Sequence, residues 1–315
     1  MAASTRLGNA LDTRRPFTRA DAVRAGVDPK ILRTSLFRRI FRGVYVDRDV
    51  ASSPLIRTQA ALALHPPTAF ASHSSAAKVH GLPVPTDPFE HVSVLSASGR
   101  RLRPEIRNHV VGGTPRVVTV RGVRVSHPFQ TFVELASMLS LVDLVVVGDA
   151  MVKLLGISAP RLVEECGAST DRHAVAARRA AEYVREEVDS PMETRLRMLI
   201  VLAGLPEPVV NHKIRDELGR VVRRLDLSYP WLRLIIEYDG RHHVERKAQW
   251  DSDLERREEF DEDGWRTLVV TAKGIYRQPA RTIDRVRRGL LARGWRGVPV
   301  SDAWRPHFPG EGAPR

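Results

Sequence analysis

Apolar and polar positions alternate most regularly in the last third of the chain. The segment SPMETRLRMLIVLAG, 190–204, spaces its apolar residues as a helix does. Ser190 stands as N-cap, Pro191 at the first helical position and Gly204 as a stop. Three strand-like runs follow at 209–214, 221–227 and 232–238. A strongly charged helical stretch at 249–262 is closed by Gly264, and a fourth strand at 265–270 leads to a last helix at 279–293. The predicted order is α-β-β-β-α-β with an additional α. Pro and Gly beyond Asp302 predict a flexible tail over 298–315.

Shorter patterns precede this. Thr18 and Asp21 form a box-like T-x-x-D at the start of a helix whose apolar face is Ala22 and Val23. Residues 25–27 make a turn. Asp28-Pro29 then opens a second predicted helix, carrying Ile31, Leu32, Leu36 and Phe37. Strands at 39–41 and 44–46 flank Arg42-Gly43. Helix, turn, helix and hairpin in this order predict a winged helix-turn-helix over 1–50, which would set its second helix in a DNA groove. Arg33, Arg38, Arg39 and Arg42 would then meet phosphates. A small interaction domain with a solvated basic face accounts for the same residues. Residues 51–165 read as a mixed α/β region, with helices at 55–64, 72–80, 131–138 and 141–154 and strands at 91–95, 117–120 and 123–125. His73, His80, His91, His109 and His127 are scattered through it and are expected in polar loop or core roles rather than as metal ligands. A charged helical linker is expected at 166–187, before a C-terminal domain at 188–297.

Composition narrows the function classes. The 315 residues carry 50 Lys+Arg against 37 Asp+Glu, a formal net charge of +13. That balance favours polyanions, nucleic acid first. An Arg-rich coding bias produces the same excess, so charge alone does not decide. Cys166 is the single cysteine, which excludes an intramolecular disulfide and a Cys-based zinc cluster and fits a reducing cytoplasm. No apolar run reaches about 18 residues, and the N-terminal segment lacks the apolar core of a secretory signal. A cytoplasmic protein without a membrane partner is expected.

The chemistry concentrates in VVRRLDLSYPWLRLIIEYDGRHH, 221–243. Asp226, Glu237 and Asp239 lie on or just beyond two apolar runs, where charge is costly unless compensated. Carboxylates, waters and substrate phosphates suit Mg²⁺. Period-2 alternation puts Arg224, Asp226 and Ser228 on one face and Ile235, Glu237 and Asp239 on one face of the next strand. A turn centred near Pro230-Trp231 makes Asp226 and Glu237 diagonal neighbours, about 7–8 Å apart. A slip of one residue would separate them. Each residue also has a plainer role. Glu193 sits at capping-box spacing from Ser190, Asp226 could pair with Arg223 or Arg224, and Asp239-Gly240 is ordinary turn chemistry. His242 and His243 could be solvated loop residues.

Residues 190–271 resemble the very-short-patch-repair-type endonuclease domains of the PD-(D/E)XK superfamily. The matching pieces are SPMETRLR, RRLDLSYP, IIEYDGRHH, the D-L-E-R of 253–256, and DGWRTLVVT. The resemblance implies an α/β fold with a restriction-endonuclease-like αβββαβ core, and Mg²⁺- or Mn²⁺-dependent cleavage of DNA. Asp226 and Glu237 would be metal ligands, and Glu193 the helix glutamate that completes such sites. His243 would be a base that activates water, and Arg256 a phosphate or carboxylate contact. Asp239 stands where the superfamily often has its lysine, so His243, Arg256 or Lys247 would have to supply that role, or cleavage is lost. In the N-terminal part, FTRADAVRAGV, FRRIFRGVYVD and FASHSSAAKVHGLP resemble AbiEi-type antitoxins. This implies DNA binding and a toxin protein as partner. The alternative it offers is a DNA-binding regulator with a degenerate nuclease fold.

Overall fold

The computed structural model describes residues 11–240, 263–297 and 299–311. It is a mixed α/β protein that divides into two compact units, Met1–Met138 and Leu139–Arg315. Among the described residues no helix is long and apolar enough to cross a membrane.

In the first unit, β1 (Phe17–Thr18) leads into α1 (Arg19–Arg24). Thr18 caps α1 as expected. Its hydroxyl accepts the Asp21 N–H at 3.1 Å, and the Asp21 carboxylate accepts the Thr18 N–H at 2.7 Å. The second predicted helix is not formed; a single 3-10 turn, Ile31–Arg33, takes its place. Local side chains close that turn early. The Asp28 carboxylate accepts the Lys30 N–H at 2.8 Å, and the Thr34 hydroxyl donates to the Ile31 carbonyl at 2.7 Å. Phe37 instead opens strand β2 (Phe37–Phe41), which pairs with β3 (Val44–Asp47) across a turn where Gly43 holds φ 80. These strands form a sheet of order β1-β3-β2.

The rest of this unit contains α2 (Pro54–Leu62), β4 (Phe70–Ala71), α3 (His73–His80), β5 (Glu90–Val94), β6 (Ile106–Val110), β7 (Val117–Val120), β8 (Val123–Ser126) and α4 (Pro128–Leu135). The five strands are ordered β6-β5-β4-β8-β7. Phe41, Ala60, Ala61, Val92, Val94 and Ile106 share one buried core.

The second unit starts with α5 (Leu141–Leu155), α6 (Ala159–Ala168) and α7 (Ala174–Ala181). The single charged linker helix expected from sequence is thus the end of α6, a break, and α7. Ser169 opens the break, its hydroxyl accepting the Asp171 N–H at 3.3 Å. Ala174, Ala177, Ala180 and Ala181 are buried as α7 packs on α5 and α6. These helices belong to the C-terminal unit, whereas the apolar pattern alone had left 141–154 in the middle region.

Then come α8 (Pro191–Leu202), β9 (Val209–Arg215), β10 (Val221–Tyr229), β11 (Leu234–Asp239), β12 (Arg266–Thr271), α9 (Ala272–Tyr276) and α10 (Pro279–Ala292). The sheet order is β12-β11-β10-β9; β9, β10 and β11 run antiparallel, and β12 is parallel to β11. Helix α8 packs against β10 and β11. Leu196, Met198, Leu199 and Ile200 of α8 are buried, as are Leu234, Ile235 and Ile236 of β11. Helix α10 comes close to the sheet at Gly289, where an added Cβ would lie 3.0 Å from Leu268 Cδ1. The predicted charged helix at 249–262 lies outside the described residues.

Candidate functional site

Register decides which carboxylates meet. Strand β10 pairs with β11 through Leu227↔Ile236, Ser228↔Ile235 and Tyr229↔Leu234. Asp226 and Glu237 are the next residue on each strand beyond these pairs. The connection is centred later than the sequence suggests. A 3-10 turn at Pro230–Leu232 is followed by Arg233 in the left-handed region at φ 49, and only then does pairing begin. The Asp226 and Glu237 side chains are half-buried, and Asp226 Oδ2 accepts the Tyr238 N–H at 3.3 Å.

The first turn of α8 brings a third carboxylate. Ser190 caps the helix, its hydroxyl accepting the Glu193 N–H at 3.2 Å, while Glu193 Oε2 accepts the Asp189 N–H at 3.0 Å. The capping role is therefore real. It does not exhaust Glu193, whose carboxylate is buried and within electrostatic reach of Asp226. Burial pushes the Glu193 carboxyl above the usual range. The Ser190 hydroxyl and the Asp189 N–H oppose the rise, and the charges of Asp226 and Asp189 add to it.

A polar frame fixes the helix end. Arg224, two residues before Asp226 on β10, pairs with Asp189 at 3.1 Å. Lys153 on α5 also reaches Asp189, at 2.7 Å, and Asn211 on β9 donates to it at 3.2 Å. Asp189 and Lys153 are 36 residues apart, so no local pattern signals their pairing. Asp239 ends β11, half-buried opposite Thr271, and its charge helps raise the neighbouring Tyr238 hydroxyl after burial and Tyr276. His242, His243, Lys247 and Arg256 lie outside the described residues.

The expected phosphate contacts of the first unit are placed differently. Arg33, Arg39 and Arg42 are exposed on the 3-10 turn and the β2–β3 hairpin. Arg38 is half-buried and donates to the Val50 carbonyl at 3.0 Å. Arg38 and Arg39 line a cavity of about 390 Å³ with Arg57, Lys78, Asp87 and Glu90. Where the second helix of the expected winged helix-turn-helix would stand, the described residues form the 3-10 turn Ile31–Arg33.

Glu193 supports a prediction whose sign is fixed by its surroundings. Its folded pKa is raised above the ordinary 4.5, so its ionised form opposes folding at neutral pH. That cost vanishes as pH falls through the raised value toward 4.5. In chelator, Glu193→Gln is expected to raise the thermal midpoint at pH 7 while keeping an acceptor for the Asp189 N–H. The difference from the native chain should shrink on acidification. A variant less stable than the native chain at pH 7 would contradict the assigned electrostatics.

No protein-family model matches the chain. It is similar to two uncharacterized proteins of Mycobacterium tuberculosis, one from strain CDC 1551/Oshkosh and one from strain ATCC 25618/H37Rv. Each is 26% identical over 196 residues, covering 61% of this chain and 71% of the relative. The fold is mixed α/β, and Glu193 of α8 lies within electrostatic reach of Asp226 on β10 of its four-stranded mixed sheet.

Proposed function

We propose that the chain is a metal-dependent endonuclease that hydrolyses phosphodiester bonds of DNA. One observation supports the reading: Glu193 at the start of α8 and Asp226 on β10 lie near enough for their charges to repel, and Glu237 is carried by the adjacent strand β11. Such a grouping is costly by itself and becomes favourable around a hard cation. The donor set fits Mg²⁺ or Mn²⁺, since it is made of carboxylate oxygens on rigid elements, one of them, Glu193, raised in pKa first by burial and then by the charges of Asp226 and Asp189. Asp226 and Glu237 would hold the ion and Glu193 would complete the site. When bound, the ion supplies polarisation of the phosphoryl oxygen and a lower pKa for its water.

The chain's own residues do the rest. The Asp189–Arg224–Lys153 frame orients the first turn of α8 and thereby the Glu193 carboxylate. His243 accepts the proton of the attacking water at an imidazole nitrogen, and Arg256 meets a phosphate oxygen. Arg33, Arg39 and Arg42 hold the DNA backbone, so affinity falls steeply with salt. The likeness to very-short-patch-repair-type domains and the α-β-β-β order support this reading.

A second reading rests on Asp239, an acid where that superfamily often has lysine. On it the protein is a DNA-binding, antitoxin-like regulator, with a toxin protein as partner and a nuclease fold that does not cleave. Supercoiled plasmid with Mg²⁺ or Mn²⁺ separates the two. Nicking by the native chain and not by Asp226→Ala/Glu237→Ala supports the enzyme. Equal, negligible nicking with retained DNA binding supports the regulator.

A further inference from the structure

His73, His91 and His109 meet in the first unit, although 18 residues separate each from the next. One ring nitrogen from each lies within 4.8 Å of the others. Strand pairing explains the meeting. Strand β5 runs parallel to β6 with Ser93 beside His109, so His91 lies two residues back on the same face. Strand β4 pairs with β5 on its other side, through Ala71↔Val92, and delivers His73 at the start of α3. The rings are layered: His73 and His109 stack at 3.9 Å between centroids, and His91 and His109 at 5.1 Å.

Hydrogen bonds orient the group. His91 Nε2 is 2.9 Å from Asp87 Oδ2, and His91 Nδ1 is 2.9 Å from His109 Nε2. A carboxylate can only accept, so the His91 proton lies on Nε2 and the lone pair of Nδ1 points at His109. Asp87 is itself fixed by the Ser74 hydroxyl at 2.8 Å and the Phe89 N–H at 3.0 Å. Carboxylate, histidine and inward lone pair are the parts of a supported metal ligand. His73 holds φ 50, a sparsely populated conformation for a residue with a Cβ, and its N–H donates to Glu134 at 2.9 Å. Such backbone strain persists where surrounding structure imposes it, and functional positions are where it clusters.

We propose that His73, His91 and His109 bind one zinc ion, with Asp87 as the outer support of His91. Neutral imidazoles suit zinc among the common divalent ions, and hard Mg²⁺ prefers oxygen. Tetrahedral zinc with Zn–N of about 2.0–2.1 Å needs its ligand nitrogens about 3.4 Å apart. The His91–His109 nitrogens, now 2.9 Å apart, open slightly and the other separations, within 4.8 Å, close to reach that. Three protein ligands leave one position for water or an anionic ligand. This site lies in the first unit and stands independently of the proposed nuclease.

The test uses the full chain, freed of purification tags, stripped with chelator and dialysed against limiting zinc. Metal analysis is expected to give one zinc per chain, lost in His91→Ala/His109→Ala. Asp87→Asn should weaken affinity about 10–100-fold without removing the site. Cobalt substitution of the native chain gives a readout that needs no variant to fold: an intense visible band of tetrahedral Co²⁺ is expected. Zinc retained equally by the double variant, no zinc in the native chain, or only the weak bands of octahedral cobalt would each overturn the proposal.

Discussion

Replacing Asp149 with alanine is expected to destabilise the C-terminal unit by about 3–5 kcal/mol, the cost of orphaning one member of a buried ion pair. Arg197 on α8 is 0% exposed and Asp149 on α5 is 3% exposed. Arg197 Nη2 lies 2.9 Å from Asp149 Oδ2, which also accepts the Thr194 hydroxyl at 2.8 Å, while Oδ1 accepts the Arg185 N–H at 2.8 Å. Burial pushes the Asp149 carboxyl up, and Arg197, the Arg185 N–H and Thr194 oppose that shift without cancelling it. Without Asp149 the guanidinium keeps, among the described residues, only Glu207, at 3.1 Å, as an acidic partner. Chemical denaturation measures the loss. The double change Asp149→Leu/Arg197→Met should recover most of it, because removing both charges also removes their desolvation cost. The site would be disturbed in the single variant, since Arg197 is one turn beyond Glu193. A loss under about 1 kcal/mol would show that the network contributes little.

Asp226→Asn is expected to slow cleavage about 10³-fold, equivalent to about 4 kcal/mol of barrier. The amide can still accept the Tyr238 N–H, so the local backbone keeps its partner. What disappears is a charge that repels Glu193 and would attract a cation. Activity and stability should therefore move in opposite directions. In chelator the variant should unfold at the same temperature as the native chain or higher, while plasmid nicking collapses. Parallel losses of both would mark Asp226 as a structural residue. The opposite signs are typical of sites that hold strain or repulsion for function.

Some of this was legible in the sequence and some was not, for definite reasons. Strands β9, β10, β11 and β12 announced themselves because period-2 alternation and the Pro230–Trp231 break are local signals. The centre of the β10–β11 connection depended on Arg233 entering the left-handed region, and nothing in an arginine signals that. The missing second helix after Asp28 was a contest between Pro29 as a helix starter and the Asp28 and Thr34 side chains, which closed a single turn. Nothing local marks Asp149, because its partner Arg197 is 48 residues away. The meeting of His73, His91 and His109 is equally non-local: a parallel pairing of β5 with β6 and a short β4 bring them together, where the sequence suggested separate polar loop or core roles.

Calorimetric titration of the metal-free native chain with Mn²⁺ tests the shared-cation claim most directly, because Mn²⁺ favours carboxylate oxygens over the imidazoles of His73, His91 and His109. The account predicts binding at one site in the native chain and its loss in Asp226→Asn/Glu237→Gln, with that variant still folded. Binding of equal strength in both proteins, or none in the native chain, would contradict it.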